Sequence, residues 1–224
     1  MKLYYHPVST TCRPIMLFAA ESTIALEFQL VDLFKGEHLG EAYCSINPNG
    51  QVPTLEDGDF RLTESATILR YLAEKVESPA YPRDIRERAR VNEMMDWLNT
   101  GLYRDLGYGL IYPQIFPHLK RADAKVQAAT IAWGRDRARK WLALLDRHFL
   151  GARPFVCGET VTLADYLGSA FLTVGEVIRL DYTPWPNVQR WLERMKARPY
   201  WAKVNEGFYN HLVAPYANTV FEGL

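Results

Sequence analysis

The sequence predicts a small α/β domain followed by an all-helical one, and three observations carry that reading. Strand-like and helix-like patterns alternate at the start of the chain. The stretch Ser78-Pro79-Ala80-Tyr81-Pro82 then interrupts the helical pattern and adds no strand. Beyond it strand signals vanish and long amphipathic runs take over. The boundaries expected from these shifts are 1–77 for the α/β domain, 78–84 for a linker and 85–224 for the helical domain.

The first domain is built as follows. Residues 2–5 read as a short strand, and 13–21 as a helix whose first turn suits Pro14, because proline has no N–H to leave unpaired there. Residues 27–33 alternate polar and apolar, the mark of a half-buried strand. A loop with Gly and His leads to a helical piece near 41–43, and Asn47-Pro48-Asn49-Gly50 is a turn cluster. Two short strands flank Asp57-Gly58, a dipeptide that tolerates positive φ and so suits a hairpin. Thr63 is the expected cap of a helix over 64–75. In the second domain, helices are expected over 85–110, ended by Pro113 and Pro117, and over 122–150, with Val126, Trp133, Trp141, Leu142, Leu145 and Phe149 as the buried stripe. A third begins at Thr162 with Asp165 in its first turn, and a last runs over 187–198.

Composition narrows the function. The 224 residues carry 26 Lys plus Arg and 26 Asp plus Glu, so no global basic field marks a nucleic-acid or anionic-lipid partner. No apolar run approaches the roughly 18 residues of a membrane span, and no charged-then-apolar leader opens the chain. Three cysteines, Cys12, Cys44 and Cys157, are an odd number without metal-ligand spacing, which points to reduced thiols in a cytoplasmic protein with no metal.

The chemistry centres on Ser9, in the loop between the first strand and the first helix. Backbone N–H groups at a helix start favour an anion, whether thiolate, carboxylate or phosphate. A nucleophilic serine would sit between elbow glycines, but the neighbours here are Val8 and Thr10. Ser9-Thr10-Thr11-Cys12 also occupies the place where a thiol–disulfide oxidoreductase carries Cys-x-x-Cys. With a hydroxyl at the first position, the site suits holding a sulfur that belongs to a ligand. Val52-Pro53 tolerates a cis bond and could offer the Val52 backbone to an extended peptide. Glu64 and Ser65, at a helix start, suit an ammonium and a carboxylate, or serve only as a capping segment. His38 and Gln51, on loops, are candidates for a second carboxylate.

Together these segments resemble the cytosolic glutathione transferase family over nearly the whole chain. The residues that carry the resemblance are Leu3-Tyr4-Tyr5-His6-Pro7, Ser9 and Cys12-Arg13, the run from Ile46 to Leu55, the run from Leu62 to Ile68, and Thr162-Leu163-Ala164-Asp165. The serine opening is similar to the theta and delta groups. The resemblance implies a thioredoxin-like N-terminal domain followed by an all-α C-terminal domain, usually in a homodimer. It implies a detoxifying transferase whose co-substrate is glutathione and whose second substrate is a small hydrophobic electrophile. Ser9 would donate to the glutathione sulfur, Val52 would pair with the cysteinyl backbone beside cis Pro53, Glu64 and Ser65 would hold the γ-glutamyl end, and His38 and Gln51 would approach the glycine carboxylate. Tyr103, Tyr108, Tyr112, Phe208, Tyr209 and His211 are the candidates for the electrophile pocket. Glutathione-dependent peroxide reduction, or a glutathione-binding scaffold with little turnover, are the alternative readings.

Overall fold

In the computed structural model, which describes residues 1–224, four short strands form one mixed sheet in the order β2-β1-β3-β4. Strand β1 (Lys2–Tyr5) runs parallel to β2 (Glu27–Leu30), and α1 (Arg13–Glu21) makes the crossover between them. After α2 (Glu41–Cys44), β3 (Thr54–Asp57) pairs antiparallel with β1, and β4 (Phe60–Leu62) folds back on β3. Gly58 takes φ 65 in the turn between them, a conformation that glycine reaches without a Cβ clash. Leu3 stands opposite Leu55, and both are fully buried with Ile15 and Phe18 of α1 and with Ile68 and Leu69 of α3 (Ser65–Lys75). This sheet with α1 and α3 places the β1–α1 loop beside the start of α3.

Two first-half expectations need correction. Strand β2 is four residues long and exposed throughout, not half-buried, because it is the outer strand and has a neighbour on one side only. Thr63 does not cap α3: the residue before the helix is Glu64, held at φ 66 and ψ 114, with no side-chain cap bond.

In the second half, α4 (Ile85–Trp97) begins where the Asp84 carboxylate accepts from the Arg86 and Glu87 N–H groups. It continues with π-helical bonding over Leu98–Ile111 and then into α5 (Tyr112–Ile115). Pro113 therefore lies within the run it was expected to break, because it falls in the first turn of α5, where proline is tolerated. The break comes at Phe116, extended at φ −108 and ψ 116, as a residue before proline prefers. Next, α6 (Ala124–Leu144), capped by Asp123, carries on through a π turn at Leu145–Leu150. Its buried face is Ile131, Gly134, Ala138 and Leu142, whereas Val126 and Trp133, expected inside, are 52% and 53% exposed. The small residues explain the difference. Gly134 lies so close to Gly109 that a Cβ there would sit 2.2 Å from the Gly109 carbonyl carbon.

Helix α7 (Leu163–Thr173) is buried along its whole length. The Asp165 carboxylate accepts from the Thr162 N–H and hydroxyl, the Val156 N–H and the Trp191 indole. After α8 (Pro186–Lys196) comes α9 (Trp201–Phe208), which the Arg198-Pro199 stop signal concealed.

The halves pack on one another through a continuous apolar cluster that reaches from Leu3 to Leu212. Phe18 meets Tyr166 edge-on at 5.4 Å. Glu21 accepts from Arg198 and from the Tyr166 hydroxyl. Between α4 and the preceding helix, Ala80 and Tyr81 are buried and the Ala80 carbonyl accepts from Leu163 N–H at 3.0 Å, so this connection is held against α7.

Candidate active site

The β1–α1 loop is wound by its own backbone. Ser9 N–H donates to the His6 carbonyl at 3.0 Å, and Cys12 and Arg13 N–H both donate to the Ser9 carbonyl at 3.1 Å. That leaves the Ser9 side chain half-buried at the loop's surface. Its Oγ accepts from Cys12 N–H at 3.3 Å and lies 3.0 Å from Thr11 Oγ1. The helix starts only at Arg13, so Ser9 organises the turn before the helix and does not cap it directly.

Thr11 connects this loop to the next piece. Its hydroxyl donates to the Val52 carbonyl at 3.1 Å. The Val52–Pro53 peptide is cis, and the Val52 N–H makes no hydrogen bond within the chain. Upstream, the Gln51 carbonyl accepts from the Tyr43 hydroxyl at 2.8 Å and from Asn47 Nδ2 at 2.7 Å, which fixes the backbone and leaves the Gln51 side chain exposed.

Glu64 supplies the third piece. Its positive φ is uncommon for a residue with a Cβ and costs on the order of 1 kcal/mol or more, strain of the kind that collects at functional sites. The conformation presents its exposed carboxylate beside Ser65, which is buried at the start of α3. Thr11, Gln51, Val52, Pro53, Glu64 and Ser65 line one polar crevice of about 60 Å³, and Asn99 reaches it from the second half. Asn99 is not among the residues that the sequence singles out. The wide turns that begin at Leu98 alter which side chain faces the crevice. Thr100 donates back to the Asp96 carbonyl, and Arg104 binds Asp105 at 2.8 Å.

His38, also expected near this crevice, does not line it. It sits in a 3-10 turn (Glu37–Leu39), partly covered, with a buried Nδ1 that has no hydrogen-bond partner. His6 is buried, its Nδ1 accepts from Val8 N–H, and burial lowers its pKa.

Cys12 is fully buried, and burial pushes its thiol up to about 11, so it is a neutral packing residue rather than a redox thiolate. Arg13 is buried too. Its guanidinium donates to three neutral oxygens, of Thr173, Asn205 and Ala170, and stacks 3.8 Å from the Phe208 ring centroid. Removal from water draws the Arg13 pKa down to about 10, still charged at neutral pH. Phe208 is thus a core residue under Arg13, and not a lining of an electrophile pocket as its place near the C-terminus suggested.

Three of the other aromatic candidates do meet. Tyr103 and Tyr112 hydroxyls are 2.6 Å apart, and Tyr112 is 3.0 Å from Thr10 Oγ1, next to Ser9. Burial pushes Tyr112 up to about 12 and Tyr103 well above the ordinary phenol range, so both hydroxyls keep their protons at neutral pH. The exposed Tyr108 ring stands edge-on to Tyr112 at 5.0 Å. Tyr209 is half-buried beside Glu176, and burial pushes it up to about 12; His211 is exposed.

The site is therefore a polar crevice with a strained acidic residue and a free backbone N–H, and a serine hydroxyl next to it. Beside the serine loop stands a wall of neutral tyrosines. Such a site can bind a short peptide backbone in extended form and stabilise an anion at Ser9. No helix is long and apolar enough to cross a membrane, and no three His, Cys, Asp or Glu side chains come together as a metal cluster.

Comparison with known proteins agrees with this geometry. The family model for the glutathione S-transferase N-terminal domain matches residues 1–74, and that for the C-terminal domain matches 110–199. Human glutathione S-transferase theta-1 is 36% identical over 203 residues, covering 88% of this chain and 82% of its own. Human theta-2 is 35% identical over 202 residues, covering 88% and 81%. Among solved structures, a delta-class glutathione transferase of Nilaparvata lugens superposes with a TM-score of 0.83 at 32% identity, over 96% of this chain and 98% of that one. Human theta-2, solved in complex with glutathione, gives 0.83 at 29%, over 100% and 93%. The α/β half and the all-helical half both match, and the chain belongs to the glutathione S-transferase family as a transferase enzyme that is similar to the theta- and delta-class, serine-type members.

Proposed function

We propose that the enzyme binds glutathione in the crevice, holds its thiol as a thiolate by a hydrogen bond from Ser9, and directs that sulfur at a small hydrophobic electrophile. The observation that carries this reading is the convergence of Thr11, Gln51, Val52, Glu64 and Ser65 on one crevice, with the Ser9 hydroxyl one hydrogen bond away at Thr11. The free Val52 N–H and the Val52 carbonyl would pair with the cysteinyl backbone, as strand addition does elsewhere. Glu64 would hold the γ-glutamyl ammonium and Ser65 its carboxylate. Gln51 would approach the glycine carboxylate, and His38, on its 3-10 turn outside the crevice, is proposed to join it. Residues 1–77 would form the glutathione half, 78–84 the connection, and 85–224 the electrophile side, with Tyr103, Tyr108 and Tyr112 nearest the sulfur. A homodimer in the cytoplasm belongs to the same proposal.

The chemistry needs little else. A free thiol titrates near 8.5, and a charge-assisted hydrogen bond contributes about 1.5–3 kcal/mol, enough to lower that value by roughly one to two units. The thiolate then predominates at neutral pH, and the C–S bond forms with expulsion of halide or opening of a strained ring. Holding the thiolate against the electrophile supplies the rest of the rate.

The test is Ser9→Ala. The ultraviolet absorbance of bound thiolate, followed against pH, should show the apparent pKa rising by about one to two units, and kcat/KM at neutral pH should fall about 10- to 100-fold. An unchanged pKa would remove Ser9 from the mechanism.

A further inference from the structure

Thr11 is placed where no motif marks it, in contact with both the sulfur donor and the backbone anchor. Its single hydroxyl proton goes to the Val52 carbonyl, since a carbonyl oxygen only accepts. The 3.0 Å contact between Ser9 Oγ and Thr11 Oγ1 must then use the Ser9 proton. In this arrangement the protons run Ser9 to Thr11 to Val52, away from Cys12 N–H, which donates to Ser9 Oγ from the other side.

We propose that Thr11 is a positioning residue that couples the cysteinyl anchor to the sulfur donor: when a ligand amide takes the Val52 carbonyl, the Thr11 hydroxyl turns to donate to Ser9 Oγ, and Ser9 donates to the thiolate. This rests on the assignment of Ser9 and Val52 above. The driving force is simple. Once Ser9 gives its proton to sulfur, two oxygens 3.0 Å apart face each other with no proton between them unless Thr11 turns. Turning empties one position on the Val52 carbonyl, and the ligand amide fills it. In the bound state Ser9 Oγ accepts twice, from Cys12 N–H and from Thr11, which polarises its O–H and strengthens the bond it donates. No bond other than hydrogen bonds is made or broken.

The test compares Thr11→Val, which keeps the shape and removes the hydroxyl, with Thr11→Ser, which keeps the hydroxyl. Glutathione is the probe, and the readout is the apparent pKa of the bound thiol. Thr11→Val should raise it by about half a unit to one unit, and Thr11→Ser should return it to the wild-type value. In a Ser9→Ala background, Thr11→Val should shift it no further. Where valine prevents folding, judged by circular dichroism, Thr11→Ala takes its place. A Thr11→Val value at or below wild type, with Ser9→Ala still raising the pKa, overturns the coupling and leaves Ser9 standing. If Ser9→Ala itself has no effect, both readings fall.

Discussion

The two walls of the site are built in different ways. The crevice wall, from the first half, is a backbone construction: a turn wound on the Ser9 carbonyl, the Val52–Pro53 peptide, and Glu64 at positive φ. The aromatic wall, from the second half, is made of side chains on one irregular helix, Tyr103, Tyr108 and Tyr112, and its shape depends on how that helix packs against α6. The difference teaches where each wall is vulnerable. The crevice should respond to loss of single polar atoms with little change in stability, whereas the aromatic wall should respond to changes in helix packing far from any ligand.

The largest effect that would sharpen this contrast is Gly134→Ala. An added Cβ has no room beside the Gly109 backbone, so the helices must part. Overpacking of this kind costs about 3 kcal/mol, which lowers Tm by roughly 6–12 °C in a chain of this length. Glutathione affinity, measured by calorimetry below the transition, should stay near wild type while turnover of a bulky electrophile drops. Equal loss of both would show that the walls are not separable.

Asp105 is the next point to probe. It is fully buried on the π-helical segment and accepts from Arg104, Arg137 and the Trp141 indole, all within 3.2 Å. Burial by itself raises a carboxyl pKa, but the combined pull of Arg104, Trp141 and Arg137 prevails and holds this one below its ordinary value. A depressed carboxyl contributes stability above its unfolded pKa, near 3.9, and loses it as pH falls through the folded value. Asp105→Asn should therefore cost about 2 kcal/mol at neutral pH, with the gap to wild type closing below about pH 4. Urea unfolding at several pH values measures it. A gap that stays constant down to pH 3 would mean that shape rather than charge holds the clamp.

The same contrast explains what was legible in the sequence. The crevice residues fall in short stretches whose turn chemistry is local: Ser9 before a helix, Val52-Pro53 after a turn cluster, Glu64-Ser65 before another helix. Each could be found without knowing the fold. His38 was placed by the same logic and the structure leaves it outside the crevice, because its loop winds into a 3-10 turn. In the second half, hydrophobicity misled. Trp133 is expected in the buried stripe, yet Gly134 makes the close helix contact and the tryptophan faces water. Asn99 was missed because regular helix spacing does not hold through π-type turns. Phe208 was assigned to the pocket by position along the chain, although its ring is the apolar cover of a buried cation. Local signals survive without tertiary knowledge; packing signals do not.

The smallest expected effect lies where the two walls touch. The Tyr112 hydroxyl bonds both the Tyr103 hydroxyl and Thr10, and Thr10 adjoins Ser9. Tyr112→Phe keeps the ring against Tyr108 and removes that link. Two buried hydroxyls, those of Thr10 and Tyr103, then lose a partner, which costs about 1 kcal/mol. If the aromatic wall serves the electrophile, kcat/KM for that substrate should fall about fivefold, with KM for glutathione and the bound thiol's pKa unmoved. A rise in the thiol pKa instead would show that the hydroxyl chain steadies the Ser9 loop itself. The aromatic wall would then act on the sulfur through Thr10, and the division between a backbone wall for glutathione and a side-chain wall for the electrophile would have to be given up.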